Sequence, residues 1–174
     1  RRGIRHEECV DVGDGALPSG ADQTFVSKRD RAIGIFFDDI PLVGIRYVVP
    51  SMTKDEKKTI EKYPFICKKE LGVNLHDYKK NKRYYFKIPK GYCYDGASIP
   101  RFFWRLIGSN SDNRFLIAAL IHDVLCENHN YIENDRAFST EVFNALLESS
   151  NVSALKRFLM KNSVGLFQAV ACRW

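Results

Sequence analysis

Asn113-Arg-Phe-Leu-Ile-Ala-Ala-Leu-Ile-His-Asp-Val-Leu-Cys-Glu127 is the stretch on which the reading of this chain turns. Its apolar residues Phe115, Leu116, Ala118, Ala119, Leu120, Ile121 and Leu125 make a broad apolar face at helical spacing, so a helix is expected over 113–127. Downstream the same period recurs twice. Ala137, Phe138, Val142, Phe143, Leu146 and Leu147 predict a helix over about 133–148. Leu155, Phe158, Leu159, Val164, Phe167 and Val170 predict another over about 152–171. Upstream the period changes to two. Ile33, Ile35 and Phe37, then Val43, Ile45, Tyr47 and Val49, then Tyr84, Phe86 and Ile88 alternate as half-buried strands do. Between them Thr53 and Glu56 have capping-box spacing, which predicts a short helix over 53–63 that Pro64 ends. Strands precede helices and do not alternate with them. The expectation is therefore an α+β fold: N-terminal antiparallel strands and loops followed by a C-terminal bundle of about three helices.

In organisation, residues 1–31 read as a flexible arm or tag-like segment, because Asp14-Gly15, Pro18, Gly20 and Asp22 break any period. Residues 32–174 read as a single α+β domain, strand-rich over 32–99 and helical over 100–174. The hydrophobic share of 45% and charged share of 28% exclude whole-chain disorder. No apolar run approaches the roughly 18 residues that a membrane-spanning helix needs.

The chain has a formal net charge of +6. Residues 54–90 hold twelve Lys and Arg against five acids, a surplus larger than that of the whole chain. Lys79, Lys80, Lys82 and Arg83 are the densest part and are candidates for an anionic surface, such as anionic lipid or an acidic protein partner. A solvated lysine face is the competing reading. Lysine dominates over arginine, which argues against sequence-specific nucleic-acid recognition. The five cysteines, Cys9, Cys67, Cys93, Cys126 and Cys172, are scattered with no C-x-x-C pair. That pattern suits reduced thiols in a cytosolic setting better than a zinc ribbon or a disulfide framework.

Two segments carry the chemistry. One is the polar loop Gly91-Tyr-Cys-Tyr-Asp-Gly-Ala-Ser-Ile-Pro-Arg101, whose Asp95-Gly96 is a turn signal and whose small residues allow close backbone approach. The other is His122-Asp123, placed inside the most apolar helix, where unpartnered polar groups are costly. Neighbouring side chains on a helix diverge by about 100°, so His122 and Asp123 are expected to address different partners. If the second helix packs antiparallel, Asp135 at its start faces His122 and orients it as a general base. Asp123 is then free to bind a hard cation, calcium above all, with Asp95. Tyr94, Gly96 and Ser98 line that site. A purely structural reading stays open: a core histidine, an Asp123 anchor, an Asp95 turn and Ser98 capping a helix that Pro100 starts. His76-Asp77 is read as solvated loop. Cys126, one turn beyond His122, and His129 are further candidate partners.

Asp95-Gly-Ala-Ser-Ile-Pro100, Trp104, His122-Asp123 and Asp135-x-x-Phe138, in that order, resemble the domain-of-unknown-function family numbered 1353, small phage and prophage proteins, over about residues 84–174. That family commonly carries an aromatic residue four positions after the histidine, where this chain has Cys126. The resemblance implies a phage-associated protein in a virion or a bacterial host cytoplasm. His122-Asp123 with Asp135-Arg-Ala-Phe138 is also similar, more distantly, to the paired helices of phospholipase A2. That similarity implies His122 as base, Asp123 as calcium ligand, Asp135 as the orienting carboxylate and residues 91–96 as the calcium loop. This loop lacks the full glycine pattern of those enzymes, and the paired helix cysteines are missing. The expected function is thus a phage hydrolase activating water. The alternative is a non-enzymatic phage protein, a virion component or an inhibitor of a host defence system.

Overall fold

A computed structural model of the chain describes residues 24–25, 32–94 and 113–171. Among them lie seven strands and five helices, in the α+β order read from the sequence. The strands are β1 (Thr24–Phe25), β2 (Ile33–Phe37), β3 (Val43–Ile45), β4 (Phe65–Cys67), β5 (Leu71–Asp77), β6 (Lys82–Ile88) and β7 (Cys93–Tyr94). The helices are α1 (Lys54–Lys62), α2 (Asn113–Glu127), α3 (His129–Ile132), α4 (Arg136–Ser149) and α5 (Ala154–Ala171). Two antiparallel sheets result, ordered β1-β2-β5-β6 and β3-β4-β7.

The first sheet is built on period-two strands. Ile33, Ile35 and Phe37 of β2, Leu71, Val73 and Leu75 of β5, and Tyr84, Phe86 and Ile88 of β6 are all buried. β5 ends in His76 and Asp77, which were expected in solvated loop. Its alternation of Leu71, Val73 and Leu75 is a strand signal set among polar neighbours, and pairing on both sides makes it central. Asp77 is consequently buried and not loose. Its carboxylate accepts from the Lys79 and Lys80 amides at 3.0 and 3.1 Å, which builds the β5–β6 turn. Asn81 closes that turn in the left-handed region at φ 48°. Gly72 is required for a steric reason. A Cβ there would stand 2.2 Å from the Asp38 carboxylate, which accepts from the Gly72 amide at 2.7 Å. Two residues of the expected N-terminal arm, Thr24 and Phe25, pair with Phe36 and Ile35 at the sheet edge.

The alternation over 43–49 produces a strand only as far as Ile45; Tyr47 and Val49 are exposed. β4 begins at Phe65, opposite Ile45; past it the Arg46 amide donates to the Pro64 carbonyl at 2.7 Å, and Pro64 has no amide hydrogen to return. α1 forms as its capping box predicts. The Thr53 hydroxyl accepts from the Glu56 amide at 3.3 Å, and Glu56 Oε2 accepts from the Thr53 amide at 2.8 Å.

α2 is apolar on every side, and every residue from Phe115 to Leu125 is buried. It packs on α4, which in turn lies against β2 and α5. α4 ends in a Schellman arrangement. Asn151 sits at φ 57°, and the Asn151 and Val152 amides donate to the Glu148 and Leu147 carbonyls at 3.0 and 3.1 Å. One apolar core joins both sheets to α2, α4 and α5.

Candidate functional site

The site grows from α2. Its burial on all sides places His122 at 0% exposure and Asp123 at 6%. His122 lies edge-on against Phe143 of α4, with ring centroids 5.3 Å apart. Its Nδ1 stands 3.6 Å from Asp123 Oδ1. Its Nε2 stands 3.5 Å from the Cys126 sulfur, one helical turn on. Cys126 is only partly buried, and its carbonyl is 3.0 Å from His129 Nδ1. Although neighbouring Cα–Cβ bonds on a helix diverge, the Asp123 carboxylate lies beside the imidazole, too far from it for a hydrogen bond.

The second sheet supplies the next layer. β7 brings Tyr94 beneath α2, where its hydroxyl donates to the Leu116 carbonyl at 3.0 Å. Burial, reinforced by the nearby Asp123 charge, pushes the Tyr94 hydroxyl well above the usual phenol range, so it acts only as a neutral donor. Tyr92, two residues earlier, donates to Glu127 Oε2 at 2.5 Å and ties β7 to the other end of α2. Tyr92, Glu127 and Phe143 were not singled out from the sequence. The only sequence signal for the first is the Tyr-Cys-Tyr alternation at 92–94, a strand pattern two residues too short to stand out.

Asp135 is not part of this cluster, which corrects its expected role as orienter of His122. It is the N-cap of α4, accepting from the Phe138 amide at 2.7 Å, and Lys80 Nζ lies 2.5 Å from its other oxygen. Those partners hold its carboxyl below the usual range, the Lys80 contact first. A cap residue points its carboxylate at its own first-turn amides, along the helix axis, and so away from a helix packed against its flank. Lys82 joins the same seam. It donates to the Glu133 carbonyl at 2.9 Å and lies over the Tyr84 ring at 4.9 Å. Tyr84 in turn stacks on Phe138 at 4.5 Å. Two of the four residues expected to face an anionic surface, Lys80 and Lys82, thus fasten the β5–β6 hairpin to the start of α4. Lys79 and Arg83 remain exposed.

Asp95, Gly96 and Ser98, the rest of the expected site, lie outside the described residues, as does Trp104. Among the described residues no three His, Cys, Asp or Glu side chains are grouped to hold a metal ion. No described helix is long and apolar enough to cross a membrane.

Comparison with known proteins bears on the same region. An uncharacterized protein of Sinorhizobium fredii, y4jT, is 42% identical over 48 residues, which are 28% of this chain and 14% of that protein. The match therefore spans a small part of the relative's length. No solved structure matches. The model of the family described as protein of unknown function (DUF1353) matches residues 73–164, from within β5 to within α5. That span is more than half of the sequence and takes in His122, Asp123, Cys126 and Asp135; the chain belongs to the DUF1353 family.

Proposed function

We propose that the protein is a phage-associated hydrolase in which His122 is the general base and Asp123 the carboxylate that positions it. The observation that carries the reading is the Nδ1–Oδ1 approach of 3.6 Å inside an otherwise apolar helix. A polar pair in that setting is costly, and an oriented imidazole is the group that most often moves protons near neutral pH. Asp123 takes the role that the sequence reading assigned to Asp135. The proposed setting is a bacterial host cytoplasm or a virion, and the proposed substrate is an ester, an anionic lipid included. Lys79 and Arg83 are the exposed cations that would meet a lipid surface.

The test is ester hydrolysis by the full chain, using p-nitrophenyl butyrate and phosphatidylglycerol vesicles, with calcium or with EDTA. His122→Gln is expected to lower kcat by about 10²–10⁴ with the fold preserved by circular dichroism. Asp123→Asn is expected to lower it less. An undiminished rate in His122→Gln overturns the reading. A rate that needs calcium and is lost in Asp123→Asn returns Asp123 to the role of cation ligand.

A second reading has its own observation. His122 is fully buried and packed against Phe143, as a structural histidine would be. It makes the protein a non-enzymatic phage component or host-interaction factor. It predicts no hydrolysis of either substrate, and a lowered Tm as the sole effect of His122→Gln.

A further inference from the structure

We infer that Cys126 is a nucleophilic thiol, with His122 and Asp123 completing a thiol–imidazole–carboxylate relay on one turn of α2, and that its substrates are acyl compounds attacked at the carbonyl carbon. The inference deepens the hydrolytic reading and rests on it for the substrate class. Both groups stand at the imidazole. Asp123 Oδ1 is 3.6 Å from Nδ1, and the Cys126 sulfur is 3.5 Å from Nε2 and 3.9 Å from Nδ1. A nucleophile beside a base that a third group orients is the arrangement covalent catalysis needs.

Exposure is graded in the same direction. His122 is at 0% and Asp123 at 6%, whereas Cys126 is only partly buried. The imidazole is placed to take a proton from the thiol of a residue less buried than itself. The other described cysteines lack this setting. The Cys67 thiol is fully buried, is pushed up by that burial and donates to the Lys69 carbonyl at 3.0 Å. Cys93, as partly buried as Cys126, has the Gly91 carbonyl at 3.3 Å as its recorded contact.

The chemistry balances without a co-reactant other than water. The thiol proton passes to His122 Nε2 as sulfur bonds to the carbonyl carbon. The C–O bond to the leaving alkoxide then breaks, and the alkoxide departs with the proton from the imidazolium. Water next attacks the thioester and gives a proton to Nε2. The S–C bond breaks, the acid leaves and the thiol regains its proton.

The experiment is limited alkylation of the full chain with iodoacetamide at pH 7, read cysteine by cysteine by peptide mass spectrometry. Sulfur displaces iodide there, so the rate reports thiolate character. Cys126 is expected to react about tenfold faster than Cys93, as an imidazole neighbour promotes the thiolate, and Cys67 slowest. His122→Gln and, independently, Asp123→Asn are expected to bring Cys126 toward the Cys93 rate. Equal rates for Cys126 and Cys93 in the wild type overturn the inference, whatever the variants do. Brief exposure to p-nitrophenyl acetate followed by acid quenching is expected to leave an acetyl group on Cys126, absent in Cys126→Ala. If Cys126→Ala hydrolyses esters at the wild-type rate while His122→Gln does not, the nucleophile falls and the hydrolytic reading stands. If Cys126 is alkylated fast and acetylated but no ester turns over, the nucleophile stands and the hydrolytic reading falls.

Discussion

Two of the places where this molecule brings an acid and a base together differ in almost everything else. Lys80 and Asp135 meet at the seam between the β5–β6 hairpin and α4, with side chains 54% and 51% exposed. His122 and Asp123 meet inside α2, with side chains 0% and 7% exposed. Water screens the first pair, and holding two mobile side chains together offsets much of its attraction. The second pair has no such screening and no such freedom, so its geometry is held by packing. A charged contact at a surface seam aligns elements. A polar pair in a core is not by itself a source of stability, because well-packed apolar residues in its place often cost the fold little.

The comparison breaks most visibly at Phe143, which is fully buried against the His122 ring. Phe143→Ala is expected to cost about 3–5 kcal/mol, read by denaturant unfolding, because the cavity cannot refill. A cost under about 1 kcal/mol would mean that packing does not hold the inner pair.

Tyr94→Phe tests the same region more gently. It removes the donor to the Leu116 carbonyl and is expected to cost about 1–2 kcal/mol by denaturant titration. The reactivity of Cys126 should be unchanged, since Tyr94 contacts the helix and not the sulfur.

At the outer pair, Asp135→Ala is expected to cost about 1 kcal/mol, the value of a helix N-cap. Asp135→Asn keeps an accepting oxygen for the Phe138 amide and loses only the charge, so it should cost clearly less. The remaining loss should shrink further in molar salt. If Asn costs as much as Ala, the Lys80 contact and not the cap holds the seam.

The smallest effect is on pH dependence. The Asp135 carboxyl is held below its ordinary value by Lys80 and by the Phe138 amide. A depressed carboxylate stabilises the fold above its unfolded value, and that stability is lost as pH falls through the folded value. Melting of the wild type should therefore fall faster on acidification below about pH 4 than melting of Asp135→Asn. Parallel acid limbs would show that the seam carries no proton linkage.

Much of this architecture was legible from one-dimensional pattern. The helices α1, α2, α4 and α5 follow from helical spacing, and α1 also from Thr53, the cap residue standing immediately before it. The strand at Tyr84, Phe86 and Ile88 follows from alternation. These signals are local, set by how a side chain relates to its own backbone. The alternation of Leu71, Val73 and Leu75 in β5 is a local signal too, but a short one in a lysine-rich neighbourhood. Only pairing with β2 and β6 makes the segment a central strand. The three-residue β4 and the two-residue β7 exist only through pairing, β4 with β3 and β7 with β4.

What the sequence determined by itself is thus the order of elements, the apolar helix, and the presence of His122, Asp123 and Cys126 at spacings that one helical turn brings together. What only the tertiary structure decided is which acid lies beside the imidazole. Asp135 and Asp123 are equally acidic in a sequence, but helix capping spends the first on its own amides and on Lys80. Burial of α2 from every side keeps the second out of water and 3.6 Å from His122 Nδ1, because close packing leaves a short side chain little freedom to turn away.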